Sequence, residues 1–224
     1  WRNATPEGQP FTDFPHFLAS LHRDKRKKIQ QERRRVADAG VSFRWARGRD
    51  ITAQDWDFFY QCYERTYLEH GNPPYLQRSF FQAMADTQPE AWLLFIAERD
   101  GQPIASSLIA LSQGTPSANG PFDVKNVPPR APHTAYGRYW GALERVDCLH
   151  FEACYYQPLA WCIQHGVQQF EGGAQGEHKM ARALMPVRTH SAHWLAHPGF
   201  TEAVGNFLAR EGQGMDAYVD ELGR

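Results

Sequence analysis

The sequence predicts an α/β (α+β) protein, and three observations predict it. Several segments carry apolar residues at helical spacing, and between them lie short runs rich in strand formers at Val41–Arg47, Ala91–Glu98, Pro103–Ser112, Thr134–Leu143 and Val167–Glu171. Gly, Pro, Asn and Asp cluster at the junctions, where they punctuate the chain. With 224 residues and 42% apolar content the chain is large enough to bury a proper core.

The first element is expected as one long helix. Thr12 or Asp13 can cap it, Pro15 sits in its first turn, and Phe14, Phe17, Leu18, Leu21, Ile29 and Val36 keep a helical spacing up to Gly40. Such a helix has about 25 residues and is about 38 Å long. Eight of the 24 basic residues fall between Arg23 and Arg35, with Asp24 and Glu32 as the only acids there. The strand Val41–Arg47 follows. Thr52 and Asp55 have capping-box spacing, and Trp56, Phe59, Tyr60, Tyr63 and Tyr67 then share a helical face until Gly71. A second helix carries Leu76, Phe80, Phe81 and Met84. The two strands that come next meet at Asp100-Gly101, a dipeptide suited to the positive φ angles of a tight hairpin.

Residues 113–133 hold five prolines and two glycines without any period, so they are assigned to a surface loop. After the strand Thr134–Leu143 a helix is expected from about Leu149 to His165, ended by Gly166 and kinked near Cys154 by Pro158, which lacks a backbone donor. The strand Val167–Glu171 leads into Gly172-Gly173-Ala174-Gln175-Gly176. A helical turn at Glu177–Leu184, a strand near Val187–Leu195 and a helix Gly199–Glu211 complete the expected order.

Charge is balanced, 24 basic against 25 acidic residues, so any affinity for polyanions must be local. The basic run cannot present all its cations on one face: part of it is solvated, and the rest could track phosphates. Cys62, Cys148, Cys154 and Cys162 form no CxxC pair, and they read as reduced thiols suited to a cytoplasmic protein. No apolar run approaches the roughly 18 residues of a spanning helix.

Five strings are distinctive: His22-Arg23-Asp24-Lys25-Arg26-Lys27-Lys28-Ile29, His70-Gly71-Asn72-Pro73-Pro74-Tyr75, Tyr136-Gly137-Arg138-Tyr139-Trp140-Gly141, Leu149-His150-Phe151-Glu152-Ala153-Cys154-Tyr155-Tyr156 and Gly172-Gly173-Ala174-Gln175-Gly176-Glu177-His178-Lys179. Together they resemble a bacterial family of N-acyltransferases related to peptidoglycan biosynthesis or recognition, near the Fem-type aminoacyl transferases. The resemblance implies a GNAT-like acyltransferase fold with a mixed central sheet flanked by helices. Because Fem-type enzymes pair two GNAT-like lobes and this chain opens abruptly at Trp1, it is expected to be the C-terminal portion. The resulting division is a linker from a missing N-terminal lobe at 1–11, a long basic helix at 12–40, a GNAT-like domain at 41–211 and a C-terminal tail at 212–224.

The resemblance also implies transfer of an acyl or aminoacyl group to an amine, with a small molecule or cell-wall precursor as acceptor. The donor is acyl-CoA or aminoacyl-tRNA, the latter touching the basic helix Arg23–Arg35, and no further cofactor is required. CoA-using relatives carry an Arg/Gln-x-x-Gly-x-Gly/Ala loop after the fourth strand, whose N–H groups hold the pyrophosphate. The corresponding stretch here, Arg138-Tyr139-Trp140-Gly141-Ala142-Leu143, keeps the Arg and the first Gly and loses the second. A non-catalytic module that recognises a cell-wall precursor or nucleic acid is the rival reading.

Acyl transfer to an amine needs a proton acceptor, donors for the developing oxyanion, and groups that orient substrate. His150, Glu152, Glu177 and His178 are the acid/base candidates. Arg138, Lys179 and Arg182 are candidate anion clamps, and Tyr139, Trp140, Tyr155, Tyr156, Gln175, His190 and His193 complete the expected substrate-binding set. Glu152 and Tyr156 lie four apart and so share a helical face. The alternative for that segment is a helix start with its aromatics in the core, and for Gly172–Lys179 a sharp strand-to-helix turn. No metal site is expected: His190 and His193 would point to opposite faces of a strand, and His150-Phe151-Glu152 lacks the Pro-Cys-x-x-Cys of zinc deaminases.

Overall fold

A computed structural model describes residues 1–112, 133–173, 177–187 and 192–222, with backbone alone for residues 177, 213 and 216–222. The expected loop at 113–133 therefore lies outside the described residues except for His133. The chain divides into two compact units, Trp1–Leu184 and Met185–Arg224.

The first unit is built on a five-stranded sheet: β1 (Val41–Arg47), β2 (Trp92–Arg99), β3 (Gln102–Leu111), β4 (Thr134–Ala142) and β5 (Gln169–Glu171), paired in that order. β1 to β4 are antiparallel and β5 is parallel to β4. The β2–β3 hairpin turns at Asp100 and Gly101, whose φ angles of 52° and 74° are those the dipeptide promised. Alternate residues of β2 go to opposite faces. Leu93 and Phe95 join one core, and Leu94 and Ile96 join another. The run is continuously apolar because both faces are covered.

One face carries α3 (Ala53–Glu69) and α4 (Arg78–Thr87), which pack Phe59, Tyr63 and Phe81 against Leu94, Ile96 and Leu108. α3 starts with the capping box: Thr52 Oγ1 accepts from Asp55 N at 3.1 Å while Asp55 Oδ2 accepts from Thr52 N at 3.0 Å. It crosses β4 so closely that a Cβ on Gly141 would lie 2.0 Å from the Cys62 carbonyl oxygen. Gly141 is thus a packing residue inside a strand. The stretch Arg138–Leu143, aligned above with a pyrophosphate loop, runs through β4 instead, and the connection to the next helix is the later segment Leu143–Cys148.

The long N-terminal helix is two helices, α1 (Phe14–Ser20) and α2 (Arg23–Asp38), broken where Leu21 turns extended at ψ 151°. The Ser20 hydroxyl donates to the Phe17 carbonyl at 2.7 Å, a local bond that competes with helix continuation. The apolar spacing continues across the break, so periodicity alone could not reveal it. Residues 1–11, expected as a linker, line the β5 edge: Phe170 N donates to the Trp1 carbonyl at 2.9 Å, and Asn3 N donates to the Gln168 carbonyl at 2.8 Å.

The helix after β4 consists of α5 (Leu149–Phe151), a π-helical turn (Glu152–Tyr156) and α6 (Gln157–Gln164). The expected irregularity near Cys154 takes this form: Gln157 N donates to the Glu152 carbonyl, an i to i+5 bond, just before Pro158, which has no N–H to give. A 3₁₀ turn, Glu177–Arg182, follows β5.

In the second unit α7 runs from Pro198 to Leu222, absorbing the segment expected as a tail. The strand expected near Val187–Leu195 is not formed by its described residues, 187 and 192–195. No described helix is long and apolar enough to cross a membrane.

Candidate active site

The π-helical turn and the 3₁₀ turn after β5 meet, and their meeting sorts the expected residues into two groups. Toward α2, Glu152 accepts from Arg33 Nε at 3.1 and 3.2 Å to its two oxygens and from Gln157 Nε2 at 2.7 Å. One residue-turn away, the Tyr156 hydroxyl donates to Glu32, which also accepts from Arg182 Nε at 3.2 Å and Nη2 at 2.6 Å. Arg182 spends its remaining nitrogen on the His178 carbonyl at 2.7 Å and stacks its guanidinium 3.3 Å from the Phe151 ring centroid. Arg182 and Glu32 are only 2% and 7% exposed. Burial and the Glu32 carboxylate both hold the Tyr156 hydroxyl protonated.

These contacts engage three of the expected residues. Arg182, 2% exposed, has all three nitrogens turned to Glu32 and the His178 carbonyl, Tyr156 is sealed under α2, and Glu152 is engaged with Arg33 and Gln157. They tie α2 to the helix and turn that carry the second group. Glu32 and Arg33 were missed by sequence reasoning. A signal existed for Glu32: an acid in a basic run, spaced three from Ile29 and four from Val36, falls on the buried face of α2.

The second group faces the end of the sheet. β4 pairs with β5 only over Thr134–Tyr136 and then runs on to Ala142 without a described partner on that side. At the divergence stand Trp140, His150, Tyr155 and His178. The His150 ring centroid is 5.4 Å from that of Trp140, 5.7 Å from that of Tyr155 and 6.5 Å from that of His178. The Tyr155 hydroxyl lies 3.4 Å from His178 Nε2. Lys179 Nζ donates to the carbonyls of Gly172 at 2.7 Å and Gly173 at 3.0 Å, closing the bend beneath them. A Cβ on Gly172 would meet Leu184 Cδ2 at 2.8 Å, so that side chain would have to shift to admit one.

Electrostatics make this group a set of neutral proton carriers. Burial, then the nearby His178, Arg182 and Lys179, push His150 down to about 4. His178 is also lowered, by desolvation and then by Arg182 and Lys179. Burial raises Tyr155 to about 12, so its hydroxyl keeps its proton at neutral pH.

The remaining expected residues lie elsewhere. Tyr139 packs on the opposite face of the sheet, 5.3 Å from Tyr63 and 5.6 Å from Phe81 between ring centroids. Arg138 is exposed at a β-bulge opposite Leu108 and Ile109, with its guanidinium near the Tyr139 ring. His193 is exposed in the second unit and is not on a strand. Only the backbone of Glu177 is described, and Gln175 and His190 lie outside the described residues. Among the described residues no group of three His, Cys, Asp or Glu could hold a metal. A cavity of about 620 Å³ lies beside the first group, between α2 and β1, with Arg33, Arg34 and Glu152 among its walls.

A family profile described as peptidoglycan biosynthesis/recognition matches residues 1–224. The chain belongs to the FemAB-like family. No curated protein matches this FemAB-like chain. Among solved structures, it is similar to the C-terminal domain of a protein described as a lysylphosphatidylglycerol synthetase from Agrobacterium fabrum, at 12% identity and TM-score 0.44, over 68% of this chain and 43% of that one. A protein from Clostridium acetobutylicum described as an acetyltransferase, solved with acetyl-CoA, gives 13% identity and TM-score 0.44 over 70% of this chain and 95% of that one. An aminoglycoside acetyltransferase from an uncultured soil metagenomic sample, solved with sisomicin, gives 11% identity and TM-score 0.42 over 71% and 97%. Likeness at this level says nothing about what the FemAB-like chain acts on.

Proposed function

We propose that this FemAB-like chain transfers an acyl or aminoacyl group to an amine of a peptidoglycan precursor. The observation that carries the reading is the meeting of His150, Tyr155 and His178 where β4 and β5 diverge, all three neutral at neutral pH. His178, exposed at the rim, takes a proton from the incoming ammonium group. The amine nitrogen then forms a bond to the acyl carbon, and the carbonyl π pair moves onto oxygen. The Tyr155 hydroxyl, held protonated, donates to that oxyanion, and His150, packed between Trp140 and Tyr155, fixes the tyrosine ring. Collapse breaks the C–O bond of an aminoacyl ester or the C–S bond of a thioester, the leaving group recovers the proton from His178, and neutral His178 then takes the second proton from the new amide nitrogen and passes it to solvent.

The donor is assigned by charge. Arg23, Lys27, Lys28, Arg34 and Arg35 are all exposed on α2, whereas the connection Leu143–Cys148, where a CoA pyrophosphate would lie, sets one exposed cation, Arg145, against an exposed Asp147 and a Glu144 paired with Arg99. We therefore favour aminoacyl-tRNA over acyl-CoA, with α2 along the tRNA phosphates and an affinity that falls steeply with salt.

The test incubates the chain with a stem-peptide precursor and, in separate arms, charged tRNA or acetyl-CoA, with product read by mass. Tyr155→Phe is expected to lower kcat/KM about 100-fold. Wild-type turnover retained by both Tyr155→Phe and His178→Gln would remove the site. Saturable precursor binding without product from either donor would make the chain a recognition module.

A further inference from the structure

A second feature lies at the far end of the same helix, roughly 22 Å from His150 at 1.5 Å per residue. It is a cavity of about 300 Å³, at the lower end of the range for small-ligand sites. Its aromatic wall comes from α6 and β1. The Trp161 and His165 rings stack at 4.0 Å and 16°, and Trp45 stands edge-on to them at 5.9 and 5.4 Å. His165 Nδ1 donates to the Trp161 carbonyl at 2.8 Å, which fixes the ring. Trp45 is 48% exposed, so its indole offers an open platform.

The polar wall is supplied by Arg47 and Arg49 on one side of the charge balance and Asp50 and Glu90 on the other, so the lining is neutral. Glu90 reaches the wall over Gly48: a Cβ there would sit 2.7 Å from Glu90 Oε1. Five buried side-chain polar atoms among the described residues have no protein partner, and two of them, Trp161 Nε1 and Arg47 Nε, belong to residues of this one small cavity. Both atoms are fully buried and so lie behind the lining; the groups open to a ligand are the Trp45 indole and the exposed Arg49, Asp50 and Glu90.

We infer that this cavity binds a neutral ring carrying several hydroxyls, of the hexopyranose class. A hydroxyl offers two lone pairs and one proton, so one such group can accept from Arg49 while another donates to Asp50 or Glu90. The C–H face of a pyranose is flat and apolar, and the Trp45 indole gives it dispersion contact. An ammonium ligand would meet two guanidinium groups, and a phosphate would meet two carboxylates. The inference is independent of the acyl-transfer reading, since no residue of the His150 group lines this cavity.

The test titrates the chain with N-acetylglucosamine and with glucose, and in control arms with inorganic phosphate and tetramethylammonium, following the indole N–H resonances of Trp45 and Trp161 by NMR. At least one sugar is expected to shift both resonances saturably, with Kd on the order of 1 mM. Trp45→Ala should weaken binding about tenfold. Asp50→Ala, which removes an acceptor from the exposed polar wall and leaves the core intact, should weaken it severalfold. No saturable shift with either sugar, affinity unchanged in both variants, or shifts that phosphate or tetramethylammonium produces as strongly, would overturn the inference.

Discussion

The two sides of the helix after β4 have opposite characters although they are one residue apart in sequence. On the α2 side, Glu152 and Tyr156 enter a network in which Glu32, Arg33 and Arg182 each meet an opposite charge. On the sheet side, His150 and Tyr155 meet His178 through ring contacts and one long hydrogen bond, and none of the three carries a charge at neutral pH. Paired, buried charges are held by each other and cost much to disturb, so they brace α2 against the turn. Neutral groups, with His178 exposed among them, remain able to exchange protons. The charged residues thus form the scaffold, and the neutral ones are left for chemistry.

The sharpest way to break this contrast is Arg182→Met. It leaves Glu32 buried without its cation, and stability should fall by about 3–5 kcal/mol, seen as a drop in Tm of roughly 10 °C. Adding Glu32→Gln should restore part of the loss. A single variant that unfolds like wild type would show that the network is not the brace. The next effect is read from pH. The folded pKa of His150, about 4, lies below the ordinary 6.5, so the unfolded chain binds the proton first. Stability is therefore lost as pH falls from 6.5 toward 4, by at most about 3 kcal/mol from this residue. Denaturant titrations of wild type and His150→Gln at pH 7 and pH 4.5 should differ by that slope, and parallel curves would place His150 in water.

Glu152→Gln should sharpen the contrast further. It removes the charge facing Arg33, whose side chain is partly exposed, and should cost about 1–2 kcal/mol in stability while leaving kcat near wild type. A large kcat loss at unchanged Tm would move the chemistry to the α2 side. The smallest effect lies far from either group. Thr52→Ala, which removes the α3 capping box, should cost about 1 kcal/mol in a thermal melt without touching turnover.

Much of the frame was legible because it rests on local rules. The strand Val41–Arg47, the hairpin at Asp100-Gly101 and the capping box at Thr52 and Asp55 each follow from residue type and spacing, and the structure places them as expected. The irregularity before Pro158 was legible for the same reason, since a missing N–H has only local remedies. The break at Leu21 was not, because the apolar period runs through it unchanged. Residue types suited to acyl transfer were equally visible at His150, Glu152, Tyr155, Tyr156 and His178, but their roles were not.

What the sequence determined by itself is the order of the five strands and of the helices after β1 that join them, the family, and the short list of side chains able to move protons. Only the tertiary structure decided which of those are spent. Glu152 and Arg182 find partners 119 and 150 residues away, on α2, and no spacing rule reaches that far. Backbone propensities act between neighbours in the chain, whereas burial and charge pairing act between neighbours in space, and it is the second kind of contact that separates the scaffold from the candidate site.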